Sequence, residues 1–278
     1  MLSLFSPISG AATASATSAT LLSTRLILTG ICAEGTVFTN AYSATPSRVP
    51  ARTGLFTGLK QGNHGRVGYL HFARTKNRDN LDAIDDYLPW LRKQEMLGDH
   101  NLFRKNLPYE GSANVPLIIK GPKDSGIKRG ALCDNPVELR DIMPTMLELA
   151  GQEIPDSIDG ISAAGLAKGE KTDWREYIHG EHIVRHHSIQ FLTDGKEKYI
   201  WFTENGHEQL FNLENDPQEK TDLASVPNGE KRLKIWRDRL IKELSGREEG
   251  YSDGEKLIPA KKGNAVLSHY LKKSGLEK

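Results

Sequence analysis

This 278-residue chain is short of the features that usually assign a protein at sight. It has two cysteines, Cys32 and Cys133, so no disulfide framework is expected. Cys32 reads as a small buried residue rather than a reactive thiol. No run of about 18 apolar residues occurs, so the sequence offers no membrane-spanning helix. Acidic and basic residues nearly cancel, 36 against 37, and a net charge of +1 makes no electrostatic case for nucleic acid or a membrane surface. Residues 1–24 carry no charge, and residues 1–30 contain no aspartate. That Ala/Ser/Thr-rich stretch lacks the basic start and solid apolar core of a secretory leader. It reads as a low-complexity tail, and the compartment stays unassigned.

What is present suffices for one or two domains with a sizeable core. Thr36–Tyr42 reads as a short strand, with Val37 and Phe38 as core candidates. Residues 50–59 read as a loop entering a helix, and residues 66–80 as solvated chain. Leu81, Ile84, Leu88 and Leu91 have helical spacing, interrupted by Pro89. Val115–Lys120 is a continuous apolar run, consistent with a buried parallel strand. Asp141 is placed to cap a helix with Ile142, Met146 and Leu149 as its apolar stripe and Gly151 at its end. Ser188–Thr193, Lys198–Phe202 and Gln209–Leu213 read as an antiparallel meander turning at Asp194-Gly195 and Asn205-Gly206. Asn228 is placed to cap a last helix with Leu233, Trp236, Leu240 and Leu244 on one face, ending near Gly246.

The most specific stretch runs from Ser43 to Gly58, Ser-Ala-Thr-Pro-Ser-Arg-Val-Pro-Ala-Arg-Thr-Gly-Leu-Phe-Thr-Gly. It resembles the sulfatase signature, in which a nucleophile is followed by x-P-[SA]-R and, four residues later, T-G. Pro50, Ala51, Arg52, Leu55, Phe56, Thr57 and Gly58 fall in register, and the nucleophile's position holds Arg48. A second register uses Pro46-Ser47-Arg48 and Thr53-Gly54 and puts Ala44 at the key position. The first register is preferred because Leu55 and Phe56 suit the first turn of a buried helix; neither supplies Cys or Ser. Further segments follow in family order, among them Asn63-His64-Gly65, Tyr109-Glu110, Val115-Pro116-Leu117-Ile118-Ile119, Asp141-Ile142-Met143-Pro144-Thr145, Ile158-Asp159-Gly160 and Asp216-Pro217. The resemblance spans roughly residues 31–258.

The resemblance implies an α/β, alkaline-phosphatase-like core, incomplete here, with a C-terminal subdomain of small antiparallel sheet plus long helix. It divides the chain into a tail (1–30), a truncated α/β domain (31–170), a C-terminal subdomain (171–260) and a second tail (261–278). The family pattern jumps between Gln94 and Glu95, where other members carry a long central stretch, so an internal deletion is expected. The family segment before Gly35 commonly reads T-P-N-L-D-R. Codons for those residues, read one base later, give Arg-Leu-Ile-Leu-Thr-Gly, which is Arg25 to Gly30. The tail is therefore expected to be out of frame, a point the genomic codons decide.

The family hydrolyses sulfate esters with a formylglycine and a hard cation, usually calcium, which takes about six to eight oxygen ligands. The first-strand Asp-Asp pair that serves it in the family has no counterpart, and Arg92-Lys93-Gln94-Glu95 stands where the second ligand pair is expected. Neither calcium nor formylglycine is expected to be retained. The residues carried over for substrate are Arg52, Lys105, His100 and His64. Arg48 cannot act as a nucleophile, since its guanidinium stays protonated. Expected partners are sulfated small molecules or sugars, with neither nucleic acid nor membrane. Three functions stay open: an inactive sulfatase, a non-catalytic binder of sulfated ligands through Arg48, Arg52 and Lys105, and a hydrolase using another nucleophile such as Ser47 or Thr45. His186-His187 reads as an exposed loop pair, and His179 and His182 flank Glu181 without the HExxH pattern of a zinc site.

Overall fold

The computed structural model describes residues 2–4, 29–68, 107–184, 187–226, 229–261, 263, 267 and 268. The helix read over Leu81, Ile84, Leu88 and Leu91 lies outside them, as does Asn228. Ten strands form three sheets among the described residues. The first sheet has the order β1 (Leu2–Leu4), β4 (Leu117–Ile119), β2 (Thr36–Phe38), β5 (Ala131–Cys133). Strand β4 runs antiparallel to both neighbours, and only β2 and β5 are parallel. The apolar run at 115–120 is thus an antiparallel strand, not a parallel one. Its side chains are buried at all three positions, and cover on both faces dictates such a run whatever the strand direction. Leu2–Leu4, inside the stretch read as a tail, supplies the edge strand.

The strand read over Thr36–Tyr42 is two strands. In β2, Phe38 joins the core while Val37 is only half-buried. Residues Thr39 and Asn40 bend the chain, so that β3 (Ala41–Tyr42) leaves the first sheet and pairs in parallel with β6 (Val137–Glu138). Cys32, read as buried, is half-buried, and Cys133 is the buried thiol. Helix α1 follows at Arg48–Thr57, two residues earlier than the loop-to-helix reading placed it. Pro50 lies in its first turn, where no intrahelical donor is lost. Gly58 closes it at φ 66°, its N–H bonded to Gly54 O. Leu55 packs against the core, but Phe56 is 74% exposed. Successive helical residues point about 100° apart, so the two cannot share a buried face.

Helix α2 (Ile142–Leu149) buries Ile142, Pro144 and Thr145, while Met146 is 55% exposed and Leu149 lies outside the core. The apolar stripe read for it is therefore wrong beyond Ile142. Asp141 is not a side-chain cap for α2 either: its carboxylate is taken by Arg175 and by the backbone N–H groups of Glu138 and Ile161.

The C-terminal sheet is an antiparallel meander, β7 (Ile178–Val184), β8 (His187–Thr193), β9 (Glu197–Phe202) and β10 (Glu208–Asn212). The last three match the sequence reading, with Gly195 and Gly206 at positive φ in the turns; β7 is additional. His187 opens β8, half-buried, instead of lying in an exposed loop. Helix α3 (Glu230–Leu244) packs Leu233, Trp236, Leu240 and Leu244 on Leu192, Tyr199, Trp201 and Leu210 of one sheet face. The other face, with Ile189, Phe191 and Ile200, packs on Tyr42, Ala44, Tyr109 and Ala113. One core thus joins the C-terminal sheet to the segments on either side of the signature. No helix among the described residues is long and apolar enough to cross a membrane.

Candidate functional site

The signature loop is held from two sides and braced by a bond of its own. Ser43 N–H donates to Ala113 O at 2.7 Å, and Ser43 Oγ donates to Thr45 O at 2.8 Å. On the second side Ala44 O accepts from Glu181 N at 2.8 Å, on the outer edge of β7. Next along that edge, Val67 O accepts from Ile183 N at 2.9 Å. Gly180 makes the approach possible: a Cβ there would lie 2.5 Å from Ala44 O and would overlap the Phe191 ring.

The loop delivers position 48 to the first residue of α1, with Ser47 extended before it (φ −150°, ψ 152°) and giving no side-chain cap. No acidic residue stands in the first turn. Ala44, the key position of the second register, is buried four residues earlier on β7's edge. Arg52, one turn into α1, is exposed. His100 and Lys105 lie outside the described residues.

His64 is the one carried-over side chain among the described residues that is buried. It lines a small cavity beneath α1 together with Thr45, Gly54, Gln61, Glu138 and Arg140. Its Nδ1 accepts from Arg66 N at 3.1 Å, which leaves Nε2 to carry the proton. Burial lowers its pKa to about 4, so the ring is neutral near pH 7. Thr45 Oγ1 and Ser47 Oγ are buried without a hydrogen-bond partner. The motifs Thr57-Gly58 and Ile158-Asp159-Gly160 meet here: Gly58 O accepts from the N–H groups of Asp159 and Gly160, and the Asp159 carboxylate accepts from Lys60 N and Asn63 Nδ2.

The carboxylates near the loop are already engaged. Glu138, at the end of β6, pairs with Arg140 at 2.5 Å and with Arg175 at 3.4 Å. Asp141 takes both amino groups of Arg175, one of them at 2.7 Å. Burial raises the pKa of Glu138, opposed by Arg140 and Arg175. On β7, Glu181 accepts from Arg247 through both oxygens at 3.0 and 2.9 Å, and from Gln190 through one. His179, on the same face of β7 as Glu181, bonds Gln190 Oε1 at 2.8 Å. Among the described residues no group of three or more His, Cys, Asp or Glu is placed to hold a metal ion. A cleft of about 440 Å³ opens beside this network, lined by Lys60, Asp159, Arg175, Tyr177, His179 and Glu243 among others.

Of the residues carried over from the sequence, His64 lines the cavity and Arg52 is exposed on α1; Gly180, Glu138, Arg140 and Arg175 were not singled out. The apolar pattern of β8 to β10 signals a sheet, yet nothing local says that β7's edge reaches the signature loop more than 130 residues earlier.

Comparison with known proteins follows the same lines. A family profile described as N-sulphoglucosamine sulphohydrolase, C-terminal, matches residues 98–246, more than half of the chain. An arylsulfatase of Clostridium perfringens (strain 13 / Type A) is 48% identical over 166 residues, covering 59% of this chain and 34% of that protein. A choline-sulfatase of Rhizobium meliloti (strain 1021) is 36% identical over 169 residues, 59% of this chain and 31% of its own length. The chain thus spans about a third of the length of these relatives. In fold it is similar to a solved protein in complex with D-glucosamine-2-N,6-O-disulfate, with a TM-score of 0.50 at 22% identity over 64% of this chain and 40% of that one.

Proposed function

This chain belongs to the sulfatase family, and from that membership we propose that its lineage is that of sulfuric ester hydrolases while the chain itself is catalytically impaired. The observation that carries the reading is the occupant of position 48. It opens α1 and is an arginine, and the signature resemblance aligns it with the family nucleophile. No thiol or hydroxyl stands there for conversion to formylglycine.

Among the described residues, the donor set around the loop also does not suit calcium. A hard dication wants six to eight oxygens, several of them anionic. The cavity beneath α1 offers the hydroxyl of Thr45, the amide of Gln61 and the carboxylate of Glu138, and that carboxylate is neutralised by two arginines. What remains is recognition of a sulfated ligand. Arg52 presents an exposed guanidinium, a planar fork suited to sulfate oxygens, and Lys105 and His100 are its proposed companions. Neutral His64 keeps an N–H beneath the loop.

The test is turnover of an aryl sulfate with calcium added, alongside calcium titration by calorimetry. A rate no greater than that of a heat-treated sample and no saturable calcium binding are expected. Turnover that disappears in Ser47→Ala or Thr45→Ala would establish a different nucleophile and overturn the reading.

A further inference from the structure

Lys198 is fully buried in β9, on the sheet face turned away from α3. Its ammonium lies 2.5 Å from Glu110 Oε1, 3.2 Å from Glu219 Oε1 and 2.9 Å from Pro108 O. It also sits 5.6 Å from the centre of the Tyr42 ring. The three charged residues come from separate places. Glu110 opens the turn Glu110–Ala113, whose Ala113 O holds Ser43 of the signature loop. Glu219 follows β10 at φ 53°, a left-handed conformation uncommon outside glycine. Its other oxygen accepts from Glu110 N at 2.6 Å.

Two carboxylates thus share one buried ammonium. Leaving both ionised puts an excess negative charge in the interior, which is costly where water cannot solvate it. One proton relieves the excess and leaves a neutral cluster. The other titratable groups facing it are Tyr42, whose hydroxyl is 3.5 Å from Glu110 Oε2, and Tyr109 with Asp222 behind it. Burial and the neighbouring acids push both tyrosines further up, so neither supplies a negative or positive charge near neutrality. Each acid also accepts one amide hydrogen bond, but the ammonium lies nearer Glu110 and Glu219 is the more deeply buried of the two, which leaves Glu219 the better place for the proton.

We propose that Lys198, Glu110 and Glu219 form a proton-loaded tie that fastens the 107–114 segment, and through it the signature loop, to the C-terminal sheet, and that the tie loosens as solution turns alkaline. In agreement, burial raises Glu219 to about 7, with Lys198 opposing and Glu110 adding to the rise. The sign follows directly. A carboxyl whose pKa is higher folded than unfolded binds its proton preferentially in the folded state. Its stabilisation is present below the unfolded pKa and lost as pH rises through the folded one.

The experiment compares the full chain with Glu219→Gln in urea titrations at pH 5, 6.5 and 8. The substituted amide copies the protonated carboxyl, so the variant gains on the parent as pH rises, on the order of a hundredfold in the folding equilibrium constant by pH 8. Taking the difference removes the histidines, which titrate identically in both proteins. A difference that stays constant from pH 5 to 8 would overturn the proposal. If Glu219→Gln does not fold, the carboxyl carbon of Glu219 followed by NMR in the parent decides instead. Titration at an ordinary glutamate pKa sinks the idea, and titration near neutrality supports it. Hydrogen exchange at the Ser112 and Ala113 amides, corrected for its intrinsic pH dependence, should quicken above pH 7 in the parent alone.

Discussion

Single atoms decide much at Gly180. A methyl group there meets both the Phe191 ring and the Ala44 carbonyl, which are themselves held by the core and by β7. Overpacking of this kind costs about 1–3 kcal/mol, and more where backbone must move. Gly180→Ala is expected to fall at the upper end of that range in urea denaturation. Gly62→Ala is the internal control: nothing lies within 4 Å of its Cβ position and its φ is not positive. That change should be neutral, or stabilising by up to about 1 kcal/mol through the unfolded chain. The contrast also marks what a sequence can convey about single residues. Arg48, Arg52 and His64 could be singled out as candidates because they sit in a local pattern. Gly180 was not, because its necessity arises from a carbonyl more than 130 residues away in the chain.

Among elements, α3 carries the clearest pattern and the clearest consequence. Leu233, Trp236, Leu240 and Leu244 recur at helical spacing and are all buried against the meander. Trp236 also donates its indole N–H to Glu197 Oε2 at 2.7 Å and stacks edge-on with Tyr177. Trp236→Ala should cost about 3–5 kcal/mol, read as a lower urea midpoint, while Ile235→Ala on the exposed face should cost almost nothing. Periodicity served well here and failed at α2, where Met146 and Leu149 continue the apolar pattern into solvent. It also hid the direction of β4, since burial on both faces erases the alternation from which pairing might be inferred.

For the molecule as a whole, two opposed proton linkages shape stability. His64 and His182 are both buried, and burial lowers each to about 4. Unfolded histidine titrates near ~6.5, so between these values the unfolded chain binds more protons. Their stabilisation is complete above ~6.5 and is lost as pH falls toward ~4, by roughly 3 kcal/mol each at most. Glu219 acts in the other direction up to about 7. Together they predict a stability maximum near ~7. Thermal unfolding across pH 4 to 8 checks this, and His182→Gln should flatten the acid limb.

The outer edge of β7 is closed by the carbonyls of Ala44 and Val67. Excising the C-terminal subdomain at its sequence boundary would strip away both, baring the amides of Glu181 and Ile183 as a template for another strand. Such a fragment would be prone to grow into fibrils, a hazard the longer polypeptide avoids by keeping Ala44 and Val67 as a cover strip.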